Sequence, residues 1–296
     1  MSVFSAVLRG AAAGLAGLAG RALLKRGGRG VAPSVASTAA RRLRVGAATL
    51  ATSVLLDSTA EHYRGGFYNK AMFAAPVASA LTLAAAAAGG RPSAARRGLF
   101  GLASVTGLVG TAFHVYNIAR RTGGFRWENL FYGAPLAAPV GISAAGLAGL
   151  AAQAVSGGDG RILGLPAGTV IAAASAGGLV GTAAEAGLLH FRGAFQDPFM
   201  VLPVTVPPTA AAALGLAAAL PSRGTLGAAR LLVETTIGIG VLGVGFHAVG
   251  VARNMGGWKN WSQNLQVAPP LPAPPAFTGM ALAGLAGLTL LEHNDA

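Results

Sequence analysis

From Arg44 onward the chain alternates long apolar stretches with short polar interruptions. Eight stretches stand out, near residues 45–63, 71–90, 99–118, 134–155, 164–190, 199–220, 229–252 and 273–291. Each approaches the roughly 20 residues that a helix needs to cross the hydrocarbon core of a bilayer. No period-two alternation runs through them, which argues against a membrane barrel. The expectation is an all-α integral membrane fold of about eight transmembrane helices. Prolines open or interrupt the even-numbered stretches (Pro76, Pro135, Pro139, Pro203, Pro207, Pro208 and Pro274). In a bundle such kinks are tolerated because neighbouring groups satisfy the freed carbonyls.

Residues 1–44 differ in character. Arg9, Arg21, Lys25, Arg26, Arg29, Arg41, Arg42 and Arg44 surround an apolar run from Gly10 to Gly20 that is too short to span. This segment reads as a basic amino-terminal arm, interfacial or partly disordered. The run also has the length of a secretory-signal core, but no clean cleavage site follows it.

Two motifs recur along the chain. His62-Tyr63-Arg64-Gly65-Gly66-Phe67 returns as His190-Phe191-Arg192-Gly193-Ala194-Phe195, an offset of 190 − 62 = 128 that also pairs Asp57 with Glu185 and Met72 with Met200. Phe113-His114, Ala119-Arg120 and Gly123-Gly124-Phe125-Arg126 return as Phe246-His247, Ala252-Arg253 and Gly256-Gly257-Trp258-Lys259, at 247 − 114 = 133. Pro135-Leu136 and Pro139 then match Pro270-Leu271 and Pro274 with two residues inserted. The order A, B, A, B implies a tandem duplication of a four-helix unit. It divides the chain into a first membrane repeat at 45–155, a linker at 156–163 and a second repeat at 164–296. Four is even, so both units have the same orientation and all four motif histidines fall at one membrane face.

Composition fits this picture. Only 10% of residues are charged and 53% are apolar, so the chain is poorly supplied for a water-soluble surface. The 45 glycines, many alanines and 6% aromatics suit helices packed through small faces. With no cysteine, disulfides, thiolate metal sites, cysteine-ligated clusters and a cysteine nucleophile are excluded. The net charge of +13 does not imply nucleic acid, because the basic residues sit at the ends of apolar stretches rather than among aromatics on a polar domain. Of 22 Lys and Arg, 14 fall in the arm and the short loops at 91–97, 157–161 and 221–230, and 8 in the aromatic loops. The positive-inside bias then puts both termini in the cytoplasm and the aromatic loops outside.

Candidate chemistry gathers around the motifs. A helix ending in Arg then Gly-Gly has a ready C-cap, and Phe67, Phe125, Phe195, Trp127, Trp258 and Trp261 form an aromatic belt. The histidines ask for more explanation. Imidazoles from two helices can ligate haem iron, so His62, His114, His190 and His247 are candidate cofactor-binding residues for haem b, or for a quinone pocket that needs no ligand spacing. No motif pair shows the i, i+3 or i, i+4 spacing of a zinc site, and no metal is assigned. Asp57, Glu185 and Glu234 are candidate intramembrane acids, each requiring a partner or a wet cavity. No P-loop, G-x-S-x-G or H-E-x-x-H is present, and no residue is assigned a catalytic role.

The strings Glu61–Lys70, Asn129–Pro139 and Gly256–Trp261 resemble those of a family of uncharacterised bacterial multi-pass membrane proteins. Genes of that family can lie beside oxidoreductases of the glucose-methanol-choline type and their small partner subunits. The resemblance covers most of the chain after residue 45, implies a membrane partner of a periplasmic oxidoreductase and assigns no residues. In architecture alone the expected bundle is similar to haem-free quinol-binding anchors of the polysulfide-reductase type. The leading expectation is therefore a non-catalytic membrane subunit or anchor. Its outer rim (Arg64, Phe67, Arg121, Phe125, Trp127, Arg192, Phe195, Arg253, Trp258 and Trp261) docks a partner, with possible electron transfer to quinone beside the histidines. A small-solute transporter or channel using Asp57 and Glu185, and a structural or assembly protein, are the alternatives.

Overall fold

The protein is described by a computed structural model over residues 31–136 and 138–294; the basic arm up to residue 30, including the Gly10 to Gly20 run, lies outside them. Eight long helices account for most of the described chain: α1 (Pro33–Arg64), α2 (Ala74–Ala87), α3 (Ala94–Ala119), α5 (Val140–Ser156), α6 (Ala167–Arg192), α7 (Leu202–Ala219), α8 (Arg223–Arg253) and α10 (Pro275–Asn294). Two short helices, α4 (Trp127–Tyr132) and α9 (Trp261–Val267), lie in the loops before α5 and α10. Short 3-10 turns at Lys70–Phe73 and Pro198–Val201 lead into α2 and α7. The only strands among the described residues, β1 (Arg161–Ile162) and β2 (Leu165–Pro166), form a hairpin between α5 and α6. Leu163 and Gly164 close its turn with positive φ (53° and 81°), as a two-residue hairpin requires.

Six helical stretches are long and apolar enough to cross a membrane: Lys70–Ala87, Ala94–Ala119, Ala167–Arg192, Pro198–Ala219, Arg223–Arg253 and Pro275–His293. The chain is thus an all-α membrane protein. The count differs from the eight expected spans at α1 and α5. Helix α5 has 17 residues, at the lower limit of what a crossing needs. Helix α1 has 32, but its charged and polar positions keep it outside the group.

Helix α1 also begins at Pro33, well before the arm boundary drawn at residue 44. Hydropathy stops at Arg41, Arg42 and Arg44, but the helix does not, because its small apolar face (Ala36, Ala39, Leu43) continues into the core. Arg42 is held on this extension by bonds to the Thr289 hydroxyl and the Leu285 carbonyl of α10.

The core is built from small side chains. Helix α10 runs along α1, and a Cβ added at Gly46 would come within 2.8 Å of the Gly279 carbonyl oxygen. Glycine at both positions permits this approach, and dispersion between close backbones replaces the bulk of larger residues. Helix α5 lies on α1 and α3, while α10 lies on α6 and α8. Gly107 of α3 faces Ser143, whose hydroxyl donates to the Ser104 carbonyl at 2.8 Å. Gly240 of α8 likewise faces Thr278, which donates to the Ile237 carbonyl at 3.0 Å.

Candidate functional site

The motif histidines lie near the carboxyl ends of α1, α3, α6 and α8, gathered at one end of the bundle. Helix α1 finishes in a Schellman cap. The Phe67 N–H donates to the His62 carbonyl at 3.0 Å, and the Gly66 N–H to the Tyr63 carbonyl at 2.8 Å. Helix α6 repeats the pattern, with Phe195 donating to His190 at 3.0 Å and Ala194 to Phe191 at 2.9 Å. The left-handed residue is Gly66 (φ 70°) in one cap and Ala194 (φ 56°) in the other. The next residue is also left-handed, at Phe67 (φ 44°) and Phe195 (φ 45°). This unusual backbone sets each phenylalanine edge-on to its histidine, with ring centroids 6.0 Å apart for His62–Phe67 and 6.1 Å for His190–Phe195.

Each histidine side chain then ties its helix to the following segment. Nδ1 of His62 lies 2.6 Å from the Met72 carbonyl oxygen, and Nδ1 of His190 lies 2.9 Å from that of Met200. His114 and His247 reach the carbonyls of Pro135 and Pro270, each at 2.6 Å. A carbonyl only accepts, so Nδ1 carries a proton in all four rings and Nε2 is the nitrogen left for any other partner. Within each pair the rings are in electrostatic reach: His62 with His114, and His190 with His247.

That tautomer suits a ligand, since metal-binding imidazoles commonly donate their other nitrogen to a carbonyl. The same bonds also serve a structural purpose without any ligand. Among the described residues no three His, Cys, Asp or Glu side chains gather as a metal site.

The acids separate into two environments. Asp57 and Glu185 are half-buried on α1 and α6 and interact electrostatically with each other. Arg64 acts on Asp57, and Arg192 on Glu185. Glu234 is elsewhere, 3.5 Å from Arg230, which makes a two-oxygen pair with Glu292 at 2.6 and 2.8 Å. This cluster joins the start of α8 to the end of α10, away from the histidines.

The rim residues are partly tied together. Arg64 pairs with Glu61 at 2.6 Å, and Phe67 stacks on Phe73 at 4.2 Å. Arg192 donates to the Leu130 carbonyl at 3.3 Å and lies 5.4 Å from the Phe131 ring centre. Trp127 and Phe131 both pack edge-on to Phe191, fastening α4 to the end of α6. Arg253 is 3.9 Å from Asp197. Arg121 is exposed, as are Phe125, Trp127, Trp258 and Trp261.

Sequence reasoning missed two matched groups. Asn129 donates to the Thr122 and Gly124 carbonyls, and Asn264 to those of Met255 and Gly257, so each amide bridges a glycine-rich turn. Asn69 and Asp197 cap the two 3-10 turns by accepting from Ala71 and Phe199 at 3.0 Å. Their offsets, 264 − 129 = 135 and 197 − 69 = 128, were readable beside the motifs. No protein family, curated protein or solved structure matches this chain.

Proposed function

We propose that the chain is an integral membrane subunit, a tandem pair of four-helix units crossing the membrane eight times, that docks a partner at its histidine end. The observation that carries this reading is the dense hydrogen bonding of the loops at that end. Four imidazole latches, two Schellman caps and two asparagine staples fix loops whose aromatic side chains are left outside. Tyr68 is 81% exposed, Tyr132 76% and Met255 92%, which leaves large side chains of the kind enriched in protein interfaces on this end. On the positive-inside reading this end faces the periplasm of a bacterial inner membrane, where an oxidoreductase of the glucose-methanol-choline type is the expected partner. Electron transfer to quinone, or to haem b, would use the Nε2 atoms of His62, His114, His190 and His247.

Affinity purification of the full chain in mild detergent tests the reading, with photo-crosslinkers at Tyr68 and Trp258. A defined stoichiometric partner crosslinked at both positions is expected. A chain that purifies alone and crosslinks only to lipid overturns it. A Soret band in the pure protein would assign the histidines to haem; its absence leaves quinone.

The half-buried acids Asp57 and Glu185, with Asp57 acting electrostatically on Glu185, favour a second reading, a proton-linked transporter for a small solute. The double variant Asp57→Asn with Glu185→Gln separates the two. It abolishes transport under the second reading and leaves partner binding intact under the first.

A further inference from the structure

An open pocket of about 390 Å³ lies between α1, the end of α2 and the start of α10, and runs along α1 from Arg44 toward the middle of that helix. Val45, Ala48, Ala86, Ala87 and Pro275 make most of its wall. Thr49 and Thr52 also line it, but their hydroxyls donate back to the Val45 and Ala48 carbonyls at 2.9 Å, so they add no free polar group.

Arg44 closes one end. Its guanidinium rests against Gly89, where an added Cβ would come within 3.1 Å of Nη1. This position, beyond the last turn of α2, is favourable for a cation because of the helix dipole. Neighbouring arginines are satisfied differently: Arg42 by α10 and Arg230 by Glu292. Arg44 has no ion pair among the described residues.

We infer that this pocket binds an anionic phospholipid, with the phosphate at Arg44 and an acyl chain along the apolar wall. A cation at the mouth of an apolar groove, in a helix bundle built for a bilayer, is complementary to an acidic headgroup carrying a hydrocarbon tail. The groove follows α1 from Arg44 to Thr52, about 12 Å at 1.5 Å per residue, which accommodates much of one chain. Gly89 has a role in this arrangement, because a side chain there would push the guanidinium from its seat.

Native mass spectrometry of the delipidated full chain tests the inference, titrating phosphatidylglycerol, phosphatidylcholine and inorganic phosphate separately. Preferential retention of phosphatidylglycerol is expected, with Arg44→Gln lowering its occupancy about fivefold, the effect of one basic residue near a membrane surface. Ala87→Trp, at an exposed wall position, should lower occupancy by filling the groove while leaving Arg44 in place. Equal retention of both lipids, or binding unchanged in both variants, overturns the proposal. Binding of inorganic phosphate as strong as that of the lipid would assign the site to a free anion and overturn it as a lipid site.

Discussion

The imidazole of His62 donates from Nδ1 to the main-chain carbonyl of Met72 at 2.6 Å. The bond spans ten residues and draws the turn after α1 back onto the helix, and His190 does the same for Met200 at 2.9 Å. Removing such a donor leaves a carbonyl unsatisfied, at a cost of about 1–3 kcal/mol. His62→Ala and His190→Ala should each lower stability by that amount, measured by unfolding in mixed micelles. Nitrogen NMR of the wild type should show Nδ1 protonated in both rings. Protonated Nε2 with bare Nδ1 would contradict the latch.

The two Schellman caps provide a comparison within one molecule. Gly66 takes a φ of 70° freely, whereas Ala194 holds 56° at a cost. Gly66→Ala should therefore destabilise by about 1 kcal/mol and Ala194→Gly should stabilise by a similar amount. Opposite signs in parallel melts are the expected result. Matching signs would mean that neighbours, rather than backbone preference, set the energy at these turns.

Much of this end was legible because motifs repeat with their spacing. His62 and His190 both fall in the last turns of their helices, and each bonds the carbonyl ten residues on. The spans were less legible at α1 and α5. Hydropathy registers transfer of side chains to lipid, but α1 continues through Arg41, Arg42 and Arg44 because its buried face is alanine and leucine. The partners of the histidines were hidden for a different reason. Met72 and Pro135 accept through main-chain oxygens, which every residue possesses, so the sequence carries no mark of them.

Glycines at helix crossings should differ sharply from those on open faces. A Cβ at Gly107 would lie 2.6 Å from the Ser143 nitrogen, and one at Gly240 would lie 2.8 Å from the Thr278 nitrogen. Backbone cannot yield as a flexible side chain can, so Gly107→Ala and Gly240→Ala should each cost about 1–3 kcal/mol. Gly177 and Gly181 have nothing within 4 Å. Alanine at either should be neutral or stabilising by up to about 1 kcal/mol through helix propensity. Thermal shifts of the four variants in one detergent check the ordering.

Labelling can place the histidine ends relative to the bilayer, and the chain is convenient for it because it contains no cysteine. Tyr68 and Gln196 follow the caps of α1 and α6 and are exposed, while Arg91, in the loop after α2, and Arg223, at the start of α8, are exposed at the other end. Four single-cysteine variants, treated in intact cells with an impermeant maleimide, test the parallel orientation of the two four-helix units. Tyr68→Cys and Gln196→Cys should react together from the periplasm, and Arg91→Cys and Arg223→Cys only after the membrane is permeabilised. Each unit has an even number of helices, so an intact duplication returns the second to the side where the first began. If Tyr68→Cys and Gln196→Cys reacted from opposite sides, an odd number of the four helices between them (α2, α3, α5 and α6) would cross, and α5, the one outside the six apolar candidates, would be the one that does not. The rim would then be divided between two compartments, and no single partner could bind it.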